Sequence, residues 1–111
     1  MEPRHGEVWL TDLGMAAKVR PVVVLMADEL DAPRSLVIHV PITRESRGSA
    51  LEIPLGHLRF LDPQSVANVQ AIGAVTRARF ERRLGAVTPA DLTAIKRALV
   101  KACALWAVTT S

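Results

Sequence analysis

Apolar and polar positions follow one another in short blocks along most of this chain, and the period changes only near the C-terminus. Gly6 to Leu13 is rich in strand-forming residues and stops at Leu13-Gly14, a turn signal. Val19 to Ala27 predicts a second strand, apolar on both faces as a strand inside a sheet or barrel must be. Pro21 stands near its start, where a missing amide costs least. Asp28 to Arg34 reads as a polar connection around Asp31-Ala32-Pro33, its acids marking a solvated turn. Ser35 to Thr43 predicts a third strand ending in Pro41-Ile42-Thr43, and a loop from Arg44 to Gly48 leads to a fourth at about Ala50 to Leu55. Gly56 to Gln64 reads as a connection with a single helical turn, and Ser65 to Val75 as one bent strand or two short ones, with Gly73 available for a bulge. One more helical turn at Thr76 to Phe80 and a short strand at Arg83 to Val87 complete the strand region.

Beyond that point the spacing becomes helical. Thr88-Pro89-Ala90-Asp91 supplies an N-cap, a proline at the first helical position and an acid in the first turn. Leu92, Ile95, Leu99, Cys103 and Trp106 recur at spacings of three and four, with Lys96, Arg97 and Lys101 off the stripe, so a helix is expected over about 89–107. Short strands closed by one C-terminal helix give a mainly β fold, a small barrel or compact sheet roll. At 111 residues, half of them apolar, the chain is read as a single domain, 1–111.

Composition narrows the classes further. The longest apolar run, Val22 to Ala27, is far below the roughly 20 residues of a membrane helix. The opening Met1-Glu2-Pro3-Arg4-His5 does not look like a secretion signal, so no membrane and a cytoplasmic location are the expectation. Cys103 is alone and sits on the apolar stripe, which predicts a buried, inert thiol. His5, His39 and His57 lack ligand spacing, so neither a metal nor another cofactor is expected. The formal charge is only +3, but eleven of the fourteen basic residues are arginine, the side chain suited to bidentate phosphate contacts. Arg77, Arg79, Arg82 and Arg83 lie close together and suggest a polyanion-binding face.

Two positions stand out for chemistry. Arg20 immediately precedes an apolar strand, and Thr43 ends the next one, so adjacent strands can bring a guanidinium and a hydroxyl to one rim. His39 shares the face of Thr43 if the third strand alternates regularly.

Gly6-Glu7-Val8-Trp9-Leu10-Thr11-Asp12-Leu13-Gly14 followed by Arg20-Pro21-Val22-Val23-Val24-Leu25 resembles the opening of the MazF/PemK toxins, ribonucleases of bacterial type II toxin–antitoxin pairs. Val40-Pro41-Ile42-Thr43 resembles their second block, and Ser65 to Val75 with Arg83-Leu84-Gly85 and the closing helix their third. The resemblance implies an SH3-like barrel of five to seven strands, a homodimer, an acidic antitoxin partner, and cofactor-free, metal-independent cleavage of single-stranded RNA at short sequences. It assigns catalysis to Arg20 and Thr43 and RNA contact to Gln70, with Lys18 on the Met15–Val19 loop beside the RNA groove. Arg44 and Arg47 are added as RNA-binding candidates on charge and position; Arg44 stands where several relatives carry serine or threonine. The alternative is a barrel of the same fold that poisons a protein target, or binds nucleic acid without cleaving it.

Overall fold

The computed structural model describes residues 2–14 and 18–108. Seven strands form one antiparallel sheet: β1 (Glu7–Asp12), β2 (Val19–Val24), β3 (Leu36–Thr43), β4 (Glu52–Pro54), β5 (Val66–Asn68), β6 (Gly73–Thr76) and β7 (Phe80–Ala86). Helix α1 spans Pro89–Ala102. The strand order is β4-β5-β3-β2-β1-β7, and β6 also pairs with β3. The long β3 thus holds β2 along one edge and two short strands along the other, β6 through His39 and β5 from Ile42.

The doubly apolar character of β2 has a direct structural cause. Val23 joins a cluster with Val8, Val40, Ile42, Leu55 and the helix residues Ile95 and Ala98. Its neighbours Val22 and Val24 point the other way, into a second cluster with Trp9, Val37 and Phe80. All three valines are fully buried, and each contributes about 1.5–3 kcal/mol by leaving water. Successive residues of a strand face opposite sides, so a central strand between two cores has no polar face.

The strand region differs from expectation in detail. Ser65 to Val75 divides into β5 and β6 around a 3₁₀ turn, Val69–Ala71. Strand β4 is only three residues long, because residues 49–51 are held in a turn by Ser49 and Glu52. The 56–64 connection is a chain of turns and contains no helical turn. Strand β7 starts at Phe80, three residues earlier than predicted, because Phe80 pairs with Thr11 and packs its ring edge-on against Trp9 at 6.3 Å. Its exposed Glu81, Arg82 and Arg83 mask the strand pattern, and charges of this kind suit a strand at the sheet edge.

Helix α1 begins where the sequence placed it and ends sooner. Thr88 Oγ1 accepts the Asp91 amide at 3.1 Å, and the Asp91 carboxylate accepts the Thr88 amide at 3.1 Å, closing a capping box. The expected extension to 107 is not formed: Cys103 caps the helix and Ala104 turns the chain into the left-handed region at φ 52°. Leu105–Ala107 make a separate 3₁₀ turn. Only the first turns lie over the core, so the stripe loses its cover. Cys103 is exposed rather than buried, and Trp106 is 66% exposed.

His57 Nε2 lies 3.0 Å from the Asp91 carboxylate, fastening the 56–64 connection to the helix start. Burial raises the Asp91 pKa, but hydrogen bonds from His57 and Thr88 outweigh it, and the net shift is downward. A carboxylate with a lowered folded-state pKa stabilises fully above the ordinary carboxylate range and loses that contribution as pH falls through the folded value. Asp91→Asn is therefore expected to cost about 1 kcal/mol near neutrality. Its thermal midpoint should also fall less than the parent's between roughly pH 6 and pH 3. Parallel midpoint-against-pH curves would refute this role.

Candidate functional site

The register of β2 on β3 pairs Val24 with His39, Val23 with Val40 and Val22 with Pro41. Continued two residues toward the end of β3, the same register sets Arg20 opposite Thr43. On its other side Arg20 pairs with Thr11 of β1, a fully buried residue whose hydroxyl donates to the Trp9 carbonyl at 3.1 Å. All three side chains project from the face that carries Trp9, Val22 and Val37. The two prolines mark the same place. Pro21 has no amide to give the strand beside it, and Pro41 stands where β3 exchanges β6 for β5. Ladder bonds are thus withheld where a cleft opens.

Two clefts meet at this pair. The larger, of about 620 Å³, is lined by Arg20, His39, Thr43, Arg47, Gln70 and Gly73 among others. The smaller, of about 410 Å³, is lined by Lys18, Arg20, Thr43, Arg44, Phe60 and Asp62 among others. Arg20 and Thr43 belong to both and form the ridge between them. The six residues singled out from sequence thus divide between two adjoining clefts: Gln70 and Arg47 in one, Lys18 and Arg44 in the other, and the catalytic candidates shared. Of the Met15–Val19 loop, residues 15–17 lie outside the described residues.

Local bonds fix the polar groups. The Glu45 amide donates to Thr43 Oγ1 at 3.1 Å, which occupies one lone pair and leaves the hydroxyl proton to be given to an incoming oxygen. Arg20 is exposed at the rim. Arg44 lies 3.5 Å from Asp62 across the smaller cleft. Glu52 holds the loop before β4: its carboxylate accepts the amides of Arg47 at 2.9 Å and Ser49 at 3.0 Å, and the Ser46 hydroxyl at 3.3 Å. The Ser49 amide, joined by those of Arg47 and Gly48 and the Ser46 hydroxyl, lowers the Glu52 pKa.

Sequence reasoning missed Glu45, Glu52 and Thr11. Glu52 carried a usable signal, since Ser49-x-x-Glu52 has the spacing of a capping box, here closing a loop instead of a helix. His39 does share the face of Thr43. It is only 4% exposed, its Nδ1 is buried without a hydrogen-bond partner, and burial pushes its pKa down.

The Arg77–Arg83 cluster is directed elsewhere. Arg77 pairs with Glu2 at 2.7 Å, Arg79 with Asp12 at 3.7 Å and Arg83 with Glu7 at 2.6 Å, and none of them lines either cleft. Among the described residues no group of three or more His, Cys, Asp or Glu side chains could hold a metal ion, and no helix is long and apolar enough to cross a membrane.

Known proteins share this fold. The profile of the PemK-like, MazF-like toxins of type II toxin–antitoxin systems matches residues 4–103. An endoribonuclease in complex with its cognate antitoxin, from a mycobacterial species, superposes with a TM-score of 0.80 at 25% identity, over 94% of this chain and 97% of the other. The Mycobacterium tuberculosis toxin MazF-mt6 gives 0.78 at 23% identity, over 88% and 96%. MazE–MazF from Deinococcus radiodurans gives 0.79 at 17% identity, over 95% and 99%; the last two likenesses concern the fold alone.

Proposed function

Since the chain belongs to the PemK-like, MazF-like toxins of type II toxin–antitoxin systems, we propose that it is an endoribonuclease that cleaves single-stranded RNA without a metal. The observation that carries this reading is the ridge itself: a guanidinium and a hydroxyl on neighbouring strands that both clefts share, with Arg47 and Gln70 in one cleft and Lys18 and Arg44 in the other.

The chemistry follows from what each group can do. The RNA 2′-oxygen attacks the adjacent phosphorus, the bond from phosphorus to the 5′-oxygen breaks, and a 2′,3′-cyclic phosphate remains. Negative charge grows on the phosphoryl oxygens, where a fixed cation helps most. Arg20 supplies that cation, and its planar fork matches a phosphate's geometry. Thr43 donates its hydroxyl proton to the same phosphate. A guanidinium stays protonated near neutrality, so it is a poor base but can donate toward the leaving 5′-oxygen. The 2′-proton passes to water at the open mouth of the cleft. His39 is not its acceptor. Four residues of strand separate it from Thr43, about 13 Å, against the roughly 3 Å that proton transfer requires.

The single domain is proposed to act in the cytoplasm as a homodimer restrained by an acidic antitoxin, as the mycobacterial structure pairs its endoribonuclease with an antitoxin. Incubating the protein with a long defined RNA in chelator, and mapping the new 5′ ends, tests the reading. Discrete cuts with cyclic-phosphate termini are expected; an intact RNA after prolonged incubation would refute it and favour a protein target. Binding should also weaken with salt. Each phosphate neutralised on a single strand contributes about −0.7 to the slope of log affinity on log salt, so Arg20, Arg44, Arg47 and Lys18 together give a slope near about −3. A flat dependence would remove these cations from the interface.

A further inference from the structure

We infer that His39, Gln70 and Gly73 form a nucleobase subsite at the β6 side of the larger cleft, in which the His39 ring distinguishes one base from another. The inference rests on the RNA reading above and adds the group that selects the sequence cut.

The first observation is an unused polar atom. His39 is 96% buried and lines the larger cleft, and its Nδ1 has no hydrogen bond of good geometry, the Val37 backbone alone lying near enough to the ring to act on it. Buried polar groups are nearly always paired, and leaving one unpaired costs about 1–3 kcal/mol, so a buried imidazole in a strand that valine would fill calls for a use. The second observation is a missing side chain. Gly73 is the β6 partner of His39, and a Cβ there would stand 3.7 Å from His39 Cε1 and 3.9 Å from Nε2. Gly73 is not among the glycines with positive φ, so backbone conformation does not demand glycine at this position. What glycine provides is an uncovered ring edge, Cε1 and Nε2, toward the cleft.

The surroundings suit a base better than a phosphate. Burial, outweighing the Val37 backbone contact, pushes the imidazole's pKa below the ordinary histidine value, which favours an uncharged hydrogen-bonding ring. Pro41, Ala74 and Val75 line the same cleft with apolar surface, and the exposed Gln70 adds an amide with both donors and an acceptor. Apolar walls with a few aimed polar groups are the usual make-up of a small-ligand pocket, and unstacked bases of single-stranded RNA are read by hydrogen bonds on their edges. The distance of about 13 Å along β3 that excludes His39 from the reacting sugar leaves it facing the base of a neighbouring nucleotide.

The test is binding of a randomised 2′-O-methyl RNA pool, which cannot react, by the parent, His39→Leu and Gly73→Val. The base preference of each variant is read at every position, and cleavage of unmodified RNA is run alongside. Preference at one position should fall about five- to tenfold in both variants while the other positions keep theirs. Gly73→Val covers the ring but leaves the imidazole in place, so its circular dichroism and thermal midpoint separate loss of selection from loss of fold. Unchanged preferences in a folded Gly73→Val protein would overturn the subsite. Selective binding that the variants lose, with no cleavage by the parent, would keep the subsite and refute the nuclease; no RNA binding at all would refute both.

Discussion

Arg20→Ala is expected to lower RNA cleavage by about 100- to 1,000-fold, the loss seen when one preorganised oxyanion donor is removed. Its guanidinium stands on the ridge shared by both clefts, where a phosphate resting against Thr43 meets it directly. Most of the loss should appear in kcat, because charge on the phosphoryl oxygens is greatest in the transition state. Binding of an unreactive RNA should weaken far less, by the share of one cation among four. Arg20→Lys should recover only part of the rate, since an ammonium keeps the charge but not the fork. The fold should survive, because the Arg20 side chain is exposed and the packing of β2 is carried by Val22, Val23 and Val24. Single-turnover kinetics with circular dichroism of the same samples decide the matter. A folded Arg20→Ala protein that cleaves near the parent rate would take Arg20 out of the mechanism.

What could be read in advance was what local chemistry dictates. Three consecutive valines with no polar alternation, β-branched and bounded by turn signals, suit a strand between two cores, and the structure supplies both. Thr88-Pro89-Ala90-Asp91 encodes its capping box within four residues. The meeting of Arg20 with Thr43 needed more. Strand ends alone place each at a rim, and the ordered blocks of the family resemblance joined them before any register was known. What stayed hidden depends on partners distant in sequence. Arg77 and Arg83 look like a free basic patch until Glu2 and Glu7, more than 70 residues away, come within ion-pair distance. The helix stripe through Cys103 and Trp106 is periodic, but periodicity cannot tell where the core beneath a helix ends. Glu52 reads as a solvated acid beside a strand, and its work of gathering loop amides appears only when the loop closes.

Gly56→Ala is expected to be among the most destabilising single substitutions available to this protein, at about 3–4 kcal/mol or more. A Cβ at Gly56 would lie 1.9 Å from the Pro63 carbonyl oxygen and 2.6 Å from its carbon, both backbone atoms that no rotamer change can move. Retreat is blocked on both sides. The Leu55 amide donates to the Ser65 carbonyl at 2.9 Å and the Ser65 amide to the Asp62 carbonyl at 2.9 Å, while the Leu55 side chain is fully buried in the helix-side core. Relieving the clash therefore means breaking those bonds or withdrawing Leu55, and removing a buried leucine from a core costs about 2–5 kcal/mol by itself. At roughly 4 °C per kcal/mol for a domain of this size, the thermal midpoint should drop by about 12–16 °C. The same loop carries Phe60 and Asp62 into the smaller cleft, and Asp62 faces Arg44 there. A surviving Gly56→Ala protein should therefore also bind RNA more weakly on that side of the ridge. Gly73→Ala is the matched control, because its nearest neighbours would stand at ordinary contact distance and its midpoint should move little. A Gly56→Ala midpoint within about 2 °C of the parent would mean that the 56–64 connection can open without disturbing Leu55. The wall of the smaller cleft would then be a movable flap and not part of the core.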